Sequence, residues 1–274
     1  MGDSEGTTSE SGEPKMSTYI IAEAAACHDG DLAKALRLID LAANIGASAC
    51  KFQWLSRAER LCERRNAPEY LDAYRLLQFP EAWFPDLLSR CEEHGIELMT
   101  TCYLPEDISV VARYVKRFKV ASFEANDQEF IDAHPRDAHL LVSLGMGQSP
   151  YRVRWPARVG FLHCVSAYPT PADQMNLARL RDRSGVPYAG LSDHSRHPWT
   201  GALAVAAGAR VIEFHCRLDT TDPRNADFAV ARTPQEALEY VAHIREAEAR
   251  MGDGVAVVQE AERPMLRYRS VGAR

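Results

Sequence analysis

No stretch of this 274-residue chain approaches the ~20 consecutive apolar residues that cross a bilayer, and no signal-type apolar segment follows Met1. A membrane-spanning or exported protein is therefore not expected. Positive charge is also in short supply: 32 Lys and Arg stand against 38 Asp and Glu, a net charge of −6. Nucleic acids and anionic membrane surfaces are met by clustered Lys and Arg, so neither is expected as a partner. The seven cysteines are odd in number, widely spaced and without a C-x-x-C pair. They form neither a disulfide framework nor a zinc site and fit a reducing cytoplasm. Between Met1 and Met16 there is no large apolar residue, so residues 1–16 are expected to be a disordered tail. Residues 17–274 remain, enough for a single barrel-sized domain.

What is present is an alternation of short apolar strands with amphipathic helices. Strands are read at Tyr19–Glu23, Ala49–Gln53, Ile96–Thr101, Phe118–Ser122, His139–Ser143, Val159–His163, Tyr188–Ser192 and Val211–His215. Asp31 caps a helix carrying Leu32, Leu36, Ile39 and Ala43 and ended by Gly46. Further helices are read over 81–94, 105–115, 127–134, 172–183, 198–207 and 234–251. Eight β/α units in one domain point to an α/β fold, a closed (β/α)8 TIM barrel rather than an open sheet. The fifth unit is the exception. Fifteen residues separate Ser143 from Val159, and Gly145, Gly147, Pro150 and Pro156 break them up, so no crossover helix fits. The barrel wall is expected to be open there, or covered by a short irregular segment or a partner subunit; on that ground a homodimer is expected.

Barrels of this type carry their site at the C-terminal strand ends. Those ends are polar here: Glu23, Lys51 with Gln53, Thr100 with Thr101, Lys119 with Ser122, Ser143, His163, Ser192 with Asp193 and His194, and Glu213 with His215. A lysine inside a barrel is costly unless it meets an anion. Lys51 and Lys119, on alternate strands, therefore point to a phosphate or carboxylate site, with Thr101, Ser122 and Ser192 as hydroxyl donors. His194 and His215 end neighbouring strands ~5 Å apart, where two neutral imidazoles can hold one divalent ion and leave positions for water and substrate. Glu213 precedes His215 by two residues and shares its face. His163 reads as structural. His28 and His197 are open between packing and site roles, while His94, His134, His139 and His243 read as solvated. Cys50, Cys164 and Cys216 read as core. In the loop over 54–79, Arg57, Arg60, Arg64, Arg65 and Arg75 alternate with Glu59, Glu63 and Glu69. This favours a solvated, ion-paired helix over recognition of an acidic acceptor.

The runs YIIAEAAACHDGDLAKALRLIDLAANIGASACKFQ, FKVAS, LHCVSAYPTP, GLSDHS and VIEFHCRLD, in this order over most of 18–251, resemble the N-acetylneuraminate (sialic acid) synthase family. The resemblance implies condensation of phosphoenolpyruvate with an aldose or other aldehyde acceptor. Phosphate would leave by C–O cleavage, giving a 3-deoxy-2-keto, sialic-acid-like acid. By the same resemblance Lys51, Thr101, Lys119, Ser122, Ser143 and Ser192 hold phosphoenolpyruvate. His194 and His215 bind a metal, Mn2+ with Mg2+ or Co2+ as alternatives, Glu23 is the acid/base residue, and Tyr168 lines the acceptor pocket. Glu213 is grouped with the catalytic residues, and Gln53, Asp193 and Asp227 with the substrate-binding ones.

Departures from the family pattern fall on the acceptor side. The family's A-E-I-G-x-N-H-x-G is Ala22-Glu23-Ala24-Ala25-Ala26-Cys27-His28-Asp29-Gly30 here, without its Gly and Asn. Its G-x-D-H is Asn225-Ala226-Asp227-Phe228, and its S-T-G-M is Ser143-Leu144-Gly145-Met146. The 23 residues after Met251 are too few for the family's antifreeze-like domain. A barrel-only member with an acceptor other than N-acetylmannosamine is expected, an unusual sugar or a specialised-metabolism aldehyde. Two other readings compete. A metal-dependent aldolase or sugar isomerase needs no dianion clamp, which Lys51 and Lys119 disfavour; a non-catalytic barrel would be expected to have lost the histidine pair.

Overall fold

The computed structural model describes residues 17–181 and 185–270; the expected tail over 1–16 lies outside them. Eight parallel strands close in chain order into one barrel, as expected: β1 (Tyr19–Ala25), β2 (Ala49–Gln53), β3 (Glu97–Thr101), β4 (Arg117–Val120), β5 (His139–Leu144), β6 (Arg158–His163), β7 (Tyr188–Asp193) and β8 (Val211–His215). Closure is tight at the β7–β8 seam. A Cβ on Gly190 would lie 1.7 Å from the Val211 carbonyl oxygen, so only glycine lets the two strands meet.

Alternation along each strand sorts side chains to two faces. Outward residues such as Ile20, Ala22, Phe52, Leu98, Phe118, Leu140 and Val142 join the main core beneath the helices. Inward residues stack in layers. At the bottom Tyr19 donates to Glu97, and Arg117 Nε donates to both Glu97 oxygens at 3.1 and 3.2 Å while lying over the Tyr19 ring. Above them Ile21, Ala49, Met99, Leu141 and Leu162 form an apolar plug. Two residues further along four of those strands come Glu23, Lys51, Thr101 and Ser143. The polar mouth thus rests on a dry layer that holds its side chains in place.

The helices pack outside. α1 (Leu32–Asn44) starts where Asp31 accepts from the Ala33 amide at 2.8 Å. The long polar stretch after β2 folds into α2 (Ala58–Arg65) and α3 (Leu71–Arg75) before α4 (Phe84–His94). α5 (Pro105–Val111), α6 (Gln128–Asp132) and α7 (Thr200–Ala206) are shorter than their periodicity suggests. α8 (Pro234–Met251) opens with a capping box between Thr233 and Glu236. Among the described residues no helix is long and apolar enough to cross a membrane.

Two expectations need correction, and for the fifth unit the structure decides between the alternatives. The helix over 172–183 is replaced by two 3-10 turns, Ala172–Gln174 and Leu177–Leu180, and its last two positions lie outside the described residues. Asn176 between the turns adopts φ 46°, which a helix cannot continue through. The fifth unit has no helix, as expected, only the 3-10 turn Pro150–Arg152, and the short irregular segment around it lies over the strand wall. Trp155 meets Phe161 edge-on at 5.3 Å, donates to the Pro150 carbonyl at 2.6 Å and packs against the main core. That gap therefore gives no ground for a second subunit. His134 is buried rather than solvated: its Nδ1 donates to the Phe130 carbonyl at 3.0 Å and its ring meets Phe118 edge-on. His139 is half-buried at the start of β5, and His243 is half-buried with its ring stacked on Trp199 at 3.8 Å.

Candidate active site

Strand register assembles the mouth. Glu23 is paired with Lys51 on one side and His215 on the other; Gln53 is paired with Thr101, Thr101 with Lys119, and Ser192 with Glu213. The resulting side chains form a chain of alternating charge. Lys51 contacts Glu23, lies 3.7 Å from Glu213 and donates to Thr101 at 2.7 Å. Lys119 lies 3.7 Å from the other Glu213 oxygen and donates to Ser143 at 2.7 Å. Ser192 donates to Glu213 at 2.7 Å. All are buried. Two cations and two carboxylates kept dry in this way are poor value for stability, because desolvation offsets most of their attraction. Such an arrangement is characteristic of a site held ready for a charged ligand.

The two carboxyls are driven apart electrostatically. Burial pushes Glu23 above the ordinary carboxylate range in spite of Lys51 beside it. Burial would raise Glu213 too, but Lys119, Lys51 and the Ser192 hydroxyl hold it at about 2. Burial pulls Lys119 below the usual lysine value, whereas Glu213 and Glu23 outweigh burial at Lys51 and raise it.

The imidazoles stand beside this cluster with ring centres 5.6 Å apart. His194 Nδ1 donates to the Val165 carbonyl at 2.7 Å, and His215 Nδ1 lies 3.2 Å from Asp227. His194 is thus held from behind by a hydrogen bond, His215 is faced from behind by a carboxylate, and both line the pocket. Burial, followed by His215, lowers His194 to about 3 and keeps it neutral; Asp227 raises His215 against its own burial. Two imidazoles oriented through Nδ1 suit a borderline divalent ion, whose remaining ligands would have to be water or substrate. Among the described residues no group of three or more His, Cys, Asp or Glu is arranged for one ion. Tyr168 covers His194 at 4.2 Å between ring centres.

Glu23, Lys51, Gln53, Thr101, Lys119, Ser122, Ser143, Tyr168, Ser192, His194, Glu213 and His215 all line one pocket of about 30 Å3. Tyr103 lines it as well and was missed, since a residue just past a strand end carries no periodicity signal. Other expected residues are elsewhere. Asp193 is a correction: with Ser192 and His194 inward, alternation turns Asp193 outward, where it accepts from Arg232 at 3.1 Å and Tyr240 at 2.6 Å. Asp227 reaches the pocket only through His215. Thr100 is fully buried on the outer face of β3. His163 donates to the Met175 carbonyl, in keeping with a structural role. His28 is fully buried against Phe79 and Trp83, and His197 is exposed. The arginines after β2 are ion-paired: Arg57 with Glu106, Arg60 with Glu63, Arg64 with Asp127, Arg65 with Glu124 and Arg75 with Glu59. All seven cysteines are buried and unpaired.

The family's glycine position is held by Ala25, which nevertheless adopts φ 49°, and its asparagine position by the buried Cys27. The loop is secured instead by Asn225, whose amide donates to the Ala26 carbonyl at 2.8 Å and to Asp29 at 3.1 Å.

A closed parallel barrel with paired lysines, hydroxyls and two tethered imidazoles at its C-terminal mouth defines an enzyme of the synthase-barrel class. The NeuB family profile matches residues 38–256, and the chain belongs to that family; it is a phosphoenolpyruvate-dependent synthase. It is 32% identical to the spore coat polysaccharide biosynthesis protein SpsE of Bacillus subtilis, over 86% of this chain and 69% of that protein. It is 30% identical to a pseudaminic acid synthase of Campylobacter jejuni, over 86% and 75% of the two chains. The crystal structure of an N-acetylneuraminic acid synthetase from Leptospira borgpetersenii in complex with citrate superposes with a TM-score of 0.80 at 28% identity, covering 93% of this chain and 92% of that one.

Proposed function

We propose that this chain condenses phosphoenolpyruvate with an aldose or other aldehyde and releases phosphate by C–O cleavage, giving a 3-deoxy-2-keto, sialic-acid-like acid. The observation that carries this reading is the buried pair Lys51 and Lys119 bracketing Glu213, with the Thr101 and Ser143 hydroxyls on their ammonium groups. The substrate's phosphate and carboxylate take up the lysines, with Ser122 and Ser192 as further donors, and this fixed set of dipoles faces the charge that develops in the reaction. C3 of the enol attacks the acceptor carbonyl carbon, leaving an oxocarbenium-like C2. Glu23, raised by burial, gives a proton to the acceptor oxygen and then takes one from the water that adds at C2. Collapse of that adduct expels phosphate. Gln53 and Tyr168 orient the acceptor. A divalent ion, Mn2+ with Mg2+ or Co2+ as replacements, would be held by His194 and His215, positioned by Asp227, and would polarise the acceptor aldehyde as a Lewis acid.

The acceptor is one other than N-acetylmannosamine, because the loop after β1 is rebuilt around Ala25, Cys27 and Asn225. A cytoplasmic setting suits seven unpaired buried cysteines. The homodimer stays a proposal with no support from the fifth unit, and sedimentation velocity tests it. The decisive assay combines the protein with phosphoenolpyruvate, Mn2+ and a panel of aldoses, following phosphate release and product mass. Release that depends on an acceptor and is lost in Lys51→Ala is expected; undiminished release in Lys51→Ala overturns the assignment. Robust N-acetylneuraminate formation counts against the acceptor statement alone.

A further inference from the structure

Beside the catalytic pocket, on the same face of the barrel, lies a larger cleft of about 560 Å3 between the α2–α3 segment and the loop after β4. That volume is within the range of sites that enclose small molecules. Its walls combine aromatic faces with convergent polar groups. Phe123 and Tyr70 are 55% and 53% exposed, unusual for residues of this size, and Tyr70 stacks on Tyr74. Glu124 is buried; one carboxylate oxygen holds Arg65, and the other is buried without any hydrogen-bond partner. A buried carboxylate oxygen left unmatched is costly unless a donor arrives.

The cleft adjoins the reaction pocket through one shared partition. The Arg65 guanidinium, which lines the cleft, lies 5.2 Å from the ring of Tyr103, which lines the catalytic pocket. The same guanidinium lies 5.0 Å from the Phe123 ring. An acceptor longer than its reacting end leaves the mouth among the loops that surround it, of which the α2–α3 segment and the loop after β4 are two. The cleft's charges are matched internally, Arg64 with Asp127 at 2.5 Å and Arg65 with Glu124, so it does not select an anion. Aromatic faces bounded by neutralised charges match the apolar face of a neutral sugar ring.

We propose that this cleft is a second subsite, which takes a neutral pyranose ring attached to the acceptor away from its aldehyde carbon, so that the preferred acceptor is a reducing disaccharide. This rests on the condensation proposed above. The test compares kcat/KM for mannose, and for any other aldose active in the acceptor panel, with that for the 4-O- and 6-O-glucosyl derivatives of the same sugar. Extension raises kcat/KM by about tenfold, the size of one well-made binding contact. In Phe123→Ala and in Tyr70→Ala, both at exposed positions, the ratio of extended to unextended acceptor falls toward one. An unchanged ratio in both variants, or no gain from extension in the parent protein, overturns the subsite. Absence of turnover with every acceptor instead counts against the condensation. The subsite is then read directly by calorimetric titration with the reduced, unreactive disaccharide alditols: binding weakened by Phe123→Ala supports it, and no binding to the parent protein overturns it.

Discussion

Removing the Asp193 carboxylate separates a structural role from a substrate-binding one. Asp193 is fully buried; one oxygen accepts from the Ser195 amide at 2.8 Å and the other from Arg232 at 3.1 Å and Tyr240 at 2.6 Å. Arg232 is 1% exposed, and its guanidinium also lies 3.9 Å over the Tyr240 ring. Together they fasten the end of β7 and the segment after β8 to α8. Asp193→Ala leaves the Arg232 charge buried without a carboxylate, a loss of about 3–5 kcal/mol. The cation–π contact survives and contributes ~0.5–2 kcal/mol, so the lower half of that range is expected. At ~2–4 °C per kcal/mol for a chain of this size, the midpoint falls by roughly 6–15 °C. Urea unfolding followed by tryptophan fluorescence measures the loss. Asp193→Ala/Arg232→Met, which removes the stranded charge, is expected to recover at least half of it. A loss below about 1 kcal/mol, or a double variant no better than the single, would refute the account. So would a tenfold rise in KM for phosphoenolpyruvate in protein that is still folded, because that result would return Asp193 to the substrate site.

Other outcomes follow from the same structure. Lys119→Met removes a charge 3.7 Å from Glu213 and is expected to lower acceptor-dependent phosphate release by about 10²-fold or more, with weakened binding of phosphoenolpyruvate by calorimetry. His28 and His134 are lowered by burial to about 4, against an ordinary value of 6.5. The unfolded chain therefore binds more protons between these values, so stability is fully present above pH 6.5 and is lost as pH falls toward 4. The loss is at most about 3 kcal/mol per histidine, and urea unfolding at stepped pH should show a shallower acid loss in His134→Leu. An unchanged slope would contradict the burial argument. Asp227→Asn weakens the hold on His215 and is expected to reduce Mn2+ affinity by about 10–100-fold in a direct titration; an unaltered affinity rejects the positioning role. Ala25→Gly relieves a left-handed alanine and should stabilise by about 0.5–1 kcal/mol, within reach of the same denaturation assay.

The eight strands were legible because each is a short apolar run, and the polar residues at their C-terminal ends were legible as a ring once closure was assumed. Period-two alternation already implied that Ser192 and His194 share a face and that Asp193 does not; grouping Asp193 with the site overlooked that rule. The absence of the helix expected over 172–183 was not legible, because composition there suits a helix and only the left-handed turn at Asn176 ends it. Trp155 gave no sign of covering the fifth unit, since sealing a wall depends on which strand face lies beneath. The arginines after β2 read correctly as ion-paired. Their partners Glu106, Asp127 and Glu124 nevertheless come from other loops, which sequence neighbours could not reveal.

By itself the sequence determined the barrel and the polar residues at its mouth, because a strand's period and a lysine's need for an anion are local facts. Only the tertiary structure decided how those groups combine. Register places Lys51 between two carboxylates, and burial raises Glu23 while the lysines and the Ser192 hydroxyl lower Glu213. Packing of loops distant in sequence sets Arg65 between Tyr103 and Phe123, opening a cleft beside the site. Distances between strands and the dielectric around a buried charge exist only once the barrel has closed.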